Sequence, residues 1–407
     1  MQLIGGLLLT AFLPFLVRAA FQTETLYLPS STNALVGNAV AVLLVFWGRL
    51  TIETYPGVRS SYLILPMALA AHAFIITVFL ITRFPYDRVA LGAGFVAHVV
   101  WNYAIYFLVQ RRQHLRIAVV PFGSVDKLLP IEIVDWKELA IPDHAAVRNC
   151  NAIVADFSAD LPDAWEAFLA DAALNGRIVY QVNQLFESLT GRVQIAHLSE
   201  NSFGSLVPMR AYSAIKHAGD FAFAILVLPI VLPVMALVAI AILLLEGRPV
   251  FYRQMRVGAS GKLFRVFKFR TMRAGAGEPS SLDGAMTKDG DARITRIGSF
   301  LRGNRLDEVP QIFNILRGEM SWIGPRPEAA ILSDLYTSEI PFYRYRHVVR
   351  PGISGWAQVN QGHVADVDDV HLKLQYDFFY VKYFSPWLDL LIVFRTIKTI
   401  LTGFGSK

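Results

Sequence analysis

Cysteine is almost missing from this sequence: Cys150 stands alone among 407 residues. That excludes an internal disulfide and any cysteine-based zinc site, and Cys150 reads as a small buried residue in a reduced compartment. Charge is scarce as well, at 17% of residues against 54% hydrophobic, with a mean hydropathy of +0.42. An ordinary soluble protein is excluded by that balance, and a membrane protein expected. The net charge of +6 and pI near 9.3 suit anionic lipid headgroups and phosphate substrates. No nucleic-acid module is visible, so nucleic acid is set aside as a partner. Internal repeats and low-complexity runs are also missing. The length allows two or three domains.

What is present comes in blocks. Four apolar stretches fill the first 110 residues, at roughly 3–20, 34–50, 61–82 and 89–109. The first lacks the basic start of a signal peptide and three more follow, so it reads as an uncleaved span, although short and interrupted by Pro14. Gln110-Arg-Arg-Gln-His-Leu-Arg116 is the strongest basic flank and places the end of the fourth span, and with it the N-terminus, in the cytoplasm. His72 and His98 lie inside spans, where a proton relay and helix–helix hydrogen bonding are both open. From about 115 to 200 short apolar strands are expected at 116–120, 131–134, 152–155 and 177–180, with a helix over 162–174. This alternation predicts a parallel α/β layer. The turn after the first strand, Pro121-Phe-Gly-Ser124, has no Gly-x-Gly-x-x-Gly to meet a pyrophosphate, which favours a structural or regulatory spacer over a nucleotide site.

The chain is organised around Arg302-Gly-Asn-Arg-Leu-Asp-Glu-Val-Pro-Gln-Ile-Phe-Asn-Ile-Leu-Arg-Gly318. Adjacent carboxylates, Asp307 and Glu308, sit there among Arg302, Arg305, Arg317 and, a little later, Arg326. Leu306, Val309, Ile312, Phe313 and Leu316 recur at helical spacing. In a helix the two carboxylates would lie about 100° apart, one able to hold a metal while the other faces a reacting group. Carboxylates attack phosphorus only where cations or a divalent metal mask the phosphate's charge. Helix capping is the favoured explanation of an isolated Asp-Glu pair; the surrounding motifs reverse that.

Those motifs are Pro249-Val-Phe-Tyr-Arg-Gln254, Phe267-Lys-Phe-Arg-Thr-Met272, Leu306-Asp-Glu-Val-Pro-Gln311, Asn314-Ile-Leu-Arg-Gly318, Gly324-Pro-Arg-Pro327, Arg350-Pro-Gly-Ile-Ser-Gly-Trp-Ala-Gln-Val-Asn360 and Tyr376-Asp-Phe-Phe-Tyr-Val-Lys382. Over its last two hundred residues the chain resembles the bacterial polyprenyl-phosphate glycosyl-1-phosphate transferases, the monotopic phosphoglycosyl transferases or bacterial sugar transferases. With the apolar blocks and the α/β alternation, three parts are expected: four transmembrane helices over 1–110, a Rossmann-like α/β domain without a glycine-rich motif over 111–205, and, by resemblance, a mainly α monotopic catalytic domain with a re-entrant helix over 206–407.

Phe221–Leu245 is uncharged and long enough to cross a bilayer. Crossing would carry the catalytic part away from cytosolic nucleotide sugars. Pro229 and Pro233 interrupt the run, so a re-entrant helix-break-helix is expected, with either proline as the break. Its Leu232-Pro233 departs from the Ser-Pro usual in the family. Eight cations between Arg248 and Arg273 follow, interleaved with phenylalanines; some suit headgroups, while Lys268 and Arg270 match the family's phosphate-side motif. Phe264–Arg270 alternates like a strand, and Ala274–Asp291 reads as a mobile loop over the site. Prolines on both sides of Arg326 would fix its guanidinium for phosphate contact. Trp356 is open between stacking on a base and packing. The tail, Phe384–Leu401, looks like an interfacial helix with Arg395 and Lys398 opposite its apolar side.

By resemblance the partners are a UDP-sugar, undecaprenyl phosphate and inner-membrane lipids, with a homodimer left open; the cofactor is Mg²⁺, and the place is the bacterial inner membrane with the catalytic domain on its cytoplasmic face. Asp307 would be the nucleophile and Glu308 the metal ligand. Lys268, Arg270, Arg302, Arg305, Gln311 and Arg326 would bind substrate phosphate. Glucose or galactose leads as the sugar, with an N-acetylhexosamine following, in exopolysaccharide, capsule or O-antigen synthesis. Two alternatives stand beside this: a prenyl-diphosphate phosphohydrolase, and a non-catalytic membrane scaffold for polysaccharide machinery.

Overall fold

The computed structural model describes residues 2–21, 29–52, 61–108, 115–193, 210–273, 291, 293–361 and 367–402. They divide into two units, Met1–Gly191 and Arg192–Lys407.

In the first unit three helices are long and apolar enough to cross a membrane, Pro29–Leu50, Ile64–Thr82 and Arg88–Leu108, and Leu3–Arg18 is a shorter apolar helix. The first block is helical through a π-turn, Leu8–Phe12, so Pro14 does not end it. Apolar side chains cannot by themselves specify register in lipid, and polar contacts do so here. Asn38 Nδ2 donates to the Ala90 carbonyl at 3.1 Å, where a Cβ on Gly94 would fall 2.1 Å from the Asn38 amide. Arg18 Nε pairs with Asp87 at 2.8 Å. His72 bonds the Ala68 carbonyl of its own helix at 2.9 Å and packs its ring 5.6 Å from that of His98.

The α/β layer is a four-stranded parallel sheet in the order β2-β1-β3-β4, with β1 at Leu115–Val119, β2 at Val134–Glu138, β3 at Ala152–Ala155 and β4 at Ile178–Gln181. Alternate residues feed two cores. Ala118, Ile153 and Ala155 meet Trp165 and Phe168 of the Asp163–Leu174 helix. Ile117, Val119 and Val154 meet Val182, Leu185 and Phe186 of the Val182–Thr190 helix. Two covered faces explain the unbroken apolar strands in the sequence. The second strand begins at Val134 rather than ending there, because an edge strand is half solvated and reads Val-Asp-Trp-Lys-Glu. The Val182–Thr190 helix was not expected; it starts directly after β4, with the Gln181 side chain capping the N–H groups of Asn183 and Gln184.

The second unit opens with one long helix, Arg210–Glu246, with Pro229 and Pro233 inside it. The non-helical break expected there is a correction: the backbone is helical throughout. Next, β5 (Phe251–Val257) and β6 (Leu263–Phe269) form an antiparallel hairpin, with the strand expected over 264–270 in place. Its Phe264, Val266 and Phe269 share a core with Ala224, Met235 and Ile242 of the long helix and with Leu301, Ile312, Ile315 and Met320. Burying each such large side chain contributes about 1.5–3 kcal/mol. A short parallel pair, β7 (Ser321–Ile323) and β8 (Gly352–Ser354), sets two of the motifs side by side. A Cβ on Gly352 would lie 2.1 Å from the backbone nitrogen of Gly324, so glycine is required for that approach. Residues 274–290, the expected loop, lie outside the described residues.

The Pro386–Thr402 helix buries Leu388, Leu391 and Ile392 and exposes Val393, Ile397 and Ile400. Arg395 is not on its outer side as expected. It turns inward over Trp356, 4.5 Å from the ring centre, which leaves an outer face that is largely apolar, as an interfacial helix needs. Trp356 is 1% exposed and stacks on Phe379. Packing, therefore, is its role.

His347, on the Tyr343–Val348 3₁₀ turn, is buried with Nε2 unpartnered. Burial, then the nearby Arg346 charge, lowers its pKa from 6.5 to about 3. It is therefore neutral when folded, whereas the unfolded chain takes up a proton below pH 6.5. Stability that is intact above 6.5 is lost progressively as pH falls toward 3. Between pH 6.5 and 5 this amounts to about 2 kcal/mol. The thermal midpoint of the wild type should drop over that interval more than that of His347→Phe; equal slopes would exclude the assignment.

Candidate active site

Asp307 and Glu308 begin a 3₁₀ turn, Leu306–Gln311, that runs into a short α-helix, Ile312–Leu316. The single α-helix expected over this stretch is thus corrected in its first turn. Pro310 has no N–H to return, and its ring crowds the carbonyl four residues back, so α geometry is not reached. In a 3₁₀ turn successive side chains stand about 120° apart, which separates the carboxylates further than expected. Arg305 enters the turn in the left-handed conformation, φ 54°, reversing the chain after the Arg296–Gly303 helix.

Asn314 ties this element to the hairpin. It is fully buried, accepts from the Phe267 N–H at 3.1 Å and donates to the Arg265 carbonyl at 2.8 Å and to Glu319 at 2.7 Å. The bonds on either side of Val266 fix β6 against the turn and bring Lys268 to Glu308. Lys268 Nζ lies 2.8 Å from Glu308 Oε1, and Arg326 reaches the same oxygen at 2.6 Å. The β5–β6 hairpin sorts the basic stretch by face. Lys268 and Arg256 turn inward, Arg256 donating to Gln254 and to the Pro327 carbonyl, while Arg253 and Arg265 are exposed.

The two carboxylates end in opposite electrostatic states. Burial would push Glu308 up, but Arg326 and Lys268 more than reverse this and hold it well below the ordinary range. Asp307 is raised, by burial first; Lys268 opposes the rise and the Glu308 charge adds to it. Among the described residues Asp307 makes no side-chain hydrogen bond or ion pair, although it is 8% exposed. Lys268 is lowered by burial against the pull of Glu308; Arg326 is raised by Glu308. One buried acid is neutralised by two cations, and its neighbour keeps its full basicity.

Of the other residues singled out in the sequence, Arg302 is close enough for its charge to act on Asp307, and Gln311 is buried at the end of the turn. Neither Arg305 nor Gln311 is a partner of Glu308. Arg270 does not join the cluster. Its guanidinium donates to the carbonyls of Glu246 and Gly247 at 2.9 and 3.0 Å, closing the C-terminal end of the long helix, where carbonyls lack partners. Pro229 and Pro233 remain within that helix. Arg256 and the buried Arg346 behind Arg326 carried no separate signal in the sequence. Arg346 in particular lies in a Tyr-Arg-Tyr-Arg-His run, where nothing in the sequence sets it apart from Arg344.

Among the described residues no group of three or more His, Cys, Asp or Glu side chains could hold a metal. The donor set, two adjacent carboxylates, instead fits Mg²⁺, which takes one or two carboxylates and completes its shell with substrate phosphates and water. Glu308 Oε2 has only a 3.4 Å contact from Arg326 and is the oxygen left for that use.

Comparison with known proteins gives the same end of the chain. The Bacterial sugar transferase family matches residues 211–403. The whole chain is 42% identical over 404 residues to the UDP-N-acetylgalactosamine-undecaprenyl-phosphate N-acetylgalactosaminephosphotransferase of Aeromonas hydrophila, covering 99% of this chain and 94% of that protein. It is 39% identical over 222 residues to the UDP-glucose:undecaprenyl-phosphate glucose-1-phosphate transferase of Xanthomonas campestris pv. campestris, 54% of this chain and 45% of that one. With the protein of the same name from Escherichia coli K12 it shares 38% identity over 197 residues, 47% of this chain and 41% of that one. The match thus spans less than half the length of the two glucose transferases and nearly all of the first relative. The chain belongs to the bacterial sugar transferase family.

Proposed function

We propose that the protein is a phosphoglycosyl transferase that moves a sugar-1-phosphate from a UDP-sugar to undecaprenyl phosphate. The observation that carries this reading is the asymmetry of the acidic pair: Glu308 held by Lys268 and Arg326, Asp307 beside it without a partner and with its pKa raised. A raised pKa marks a carboxylate whose charge is poorly stabilised, and such an oxygen is the better nucleophile. An Asp307 oxygen attacks the phosphorus that bears the sugar. The bond from that phosphorus to the bridging oxygen breaks, and UMP leaves with the electron pair. The aspartyl-phosphosugar is then attacked by an oxygen of undecaprenyl phosphate, which forms the lipid diphosphate sugar and returns the carboxylate. Lys268, Arg326 and Arg302 neutralise charge on the phosphoryl oxygens in both steps. Glu308 would hold Mg²⁺, which when bound supplies further charge neutralisation at the diphosphate.

A re-entrant path for the long helix belongs to this proposal. Near one end Asp220 accepts from Ser321 Oγ at 2.5 Å and, through its carbonyl, from Trp322; at the other, Glu246 and Gly247 are held by Arg270. Both ends are thus bound by one catalytic unit, which favours entry and exit at the same, cytoplasmic face. On the sugar, the full-length relative's N-acetylgalactosamine moves an N-acetylhexosamine ahead of glucose and galactose.

The test uses the purified full chain with undecaprenyl phosphate, Mg²⁺ and a panel of UDP-sugars. UMP release that requires the lipid, greatest with UDP-N-acetylgalactosamine, is expected. Inorganic phosphate released from a prenyl diphosphate without any UDP-sugar would indicate a phosphohydrolase, and no turnover of either would leave a scaffold.

A further inference from the structure

Arg326 sits in Gly324-Pro-Arg-Pro327, and Pro325 and Pro327 have no N–H to offer a neighbouring strand. Gly324 donates its N–H to the Ser354 carbonyl at 2.9 Å, and from Pro325 on the segment is held by its carbonyls. Pro325 accepts from the Gly352 N–H at 3.0 Å and Glu328 from the Val257 N–H at 3.1 Å, while Pro327 accepts from Arg256. Between Pro325 and Pro327 lies the carbonyl of Arg326, the residue that touches Glu308. It accepts from Arg346 Nη2 at 2.8 Å.

Arg346 is itself held through both terminal nitrogens, while its buried Nε has no hydrogen-bond partner. Nη2 lies 2.7 Å from Asp377, with the two side chains 3% and 1% exposed; Nη1 donates to Tyr343 Oη at 2.8 Å and lies 3.7 Å from Glu328. Glu328, two residues after Arg326, pairs with Lys373. Lys373 and Asp377 are four residues apart on the Val367–Lys382 helix and so share one face of it. A buried ion pair is weak support for stability, because desolvation offsets most of its attraction. Its use here is orientation: a planar guanidinium with several fixed acceptors presents one N–H to one carbonyl.

We infer that Arg346, fixed by Asp377, is a positioning residue that sets the Arg326 backbone so that the Arg326 guanidinium meets Glu308. The inference rests on the phosphoglycosyl transferase reading of the site. Lysine at 346 keeps the charge but loses the fork, and cannot hold Tyr343, Asp377 and the Arg326 carbonyl together. A loss on the order of a hundredfold in kcat follows from a displacement of about 1 Å at the reacting centre, with little change in KM.

The experiment measures UMP release by R346K, D377N, R326A and the double variant R326A/R346K in the full-length protein, with thermal midpoints recorded alongside. R346K and D377N are expected to lower kcat by about that factor while remaining folded. The double variant should match R326A within about threefold, because a positioning residue has nothing left to position. Wild-type kcat in R346K beside an inactive R326A would overturn this inference alone, as would multiplicative losses in the double variant. A fully active R326A would remove Arg326 from the site and this inference with it, leaving the transferase reading in place; no UMP release by the wild type would remove both. D377N reports on the same device should R346K fail to accumulate.

Discussion

Asp307→Asn is expected to lose transfer activity by a factor on the order of 10⁴ or more while leaving the fold as stable as before. The two halves of that expectation have separate causes. Activity falls because an amide is no nucleophile toward phosphorus, and no other described carboxylate has the same position: Glu308 is tied to Lys268 and Arg326. Stability holds because the folded protein raises the Asp307 pKa, chiefly by burial. A carboxylate whose folded pKa exceeds its unfolded one is ionised at a cost, and a neutral amide does not bear it. The check is UMP release with and without lipid, a melting curve, and mass spectrometry of the protein quenched after exposure to donor alone. Wild type should carry a sugar-phosphate mass on the peptide containing Asp307, and the variant none. An adduct on any other peptide, or turnover by the variant, would dismiss the covalent role.

Lys268→Met is expected to lower kcat/KM by about 10²–10³-fold, the usual cost of removing one group that stabilises developing charge. Here, unlike at Asp307, stability should suffer too. Glu308 would keep Arg326, whose side chain is 30% exposed, but lose the cation that is only 16% exposed. Leaving a buried carboxylate with half of its compensation costs about 2 kcal/mol. Lys268→Arg should restore most of the stability and little of the activity, since a fork in place of a point charge shifts Glu308 in its turn. The comparison is read from melting midpoints and single-turnover rates. A Met variant as active as wild type would place Lys268 outside the phosphate-binding machinery.

These two results also divide what could be read in the chain from what could not. Lys268 and Arg270 are two residues apart in one alternating stretch, and as sequence they carried equal weight. In the structure Lys268 meets Glu308, while Arg270, just past the strand's end, caps the end of the long helix 24 residues earlier in the chain. Sequence spacing does not report which end of a strand is covered by which helix. The prolines of the membrane run show the reverse limit: each removes a hydrogen bond, yet Pro229 and Pro233 stay within helical backbone. Pro310 shows where such a residue does change geometry, since it lies early in a short turn with few bonds to oppose it.

Composition, apolar blocks and ordered motifs by themselves determined that the chain has membrane-spanning apolar helices, a parallel α/β layer and an acidic pair set among cations, because burial periodicity and local backbone chemistry are written residue by residue. Only the tertiary structure decided which acid is free and which is paired, that Trp356 packs, that Arg395 turns inward, and that Arg346 stands behind Arg326. Each of those depends on partners 18 to 40 residues away, and the electrostatic state of a buried group is set by what surrounds it rather than by what precedes it.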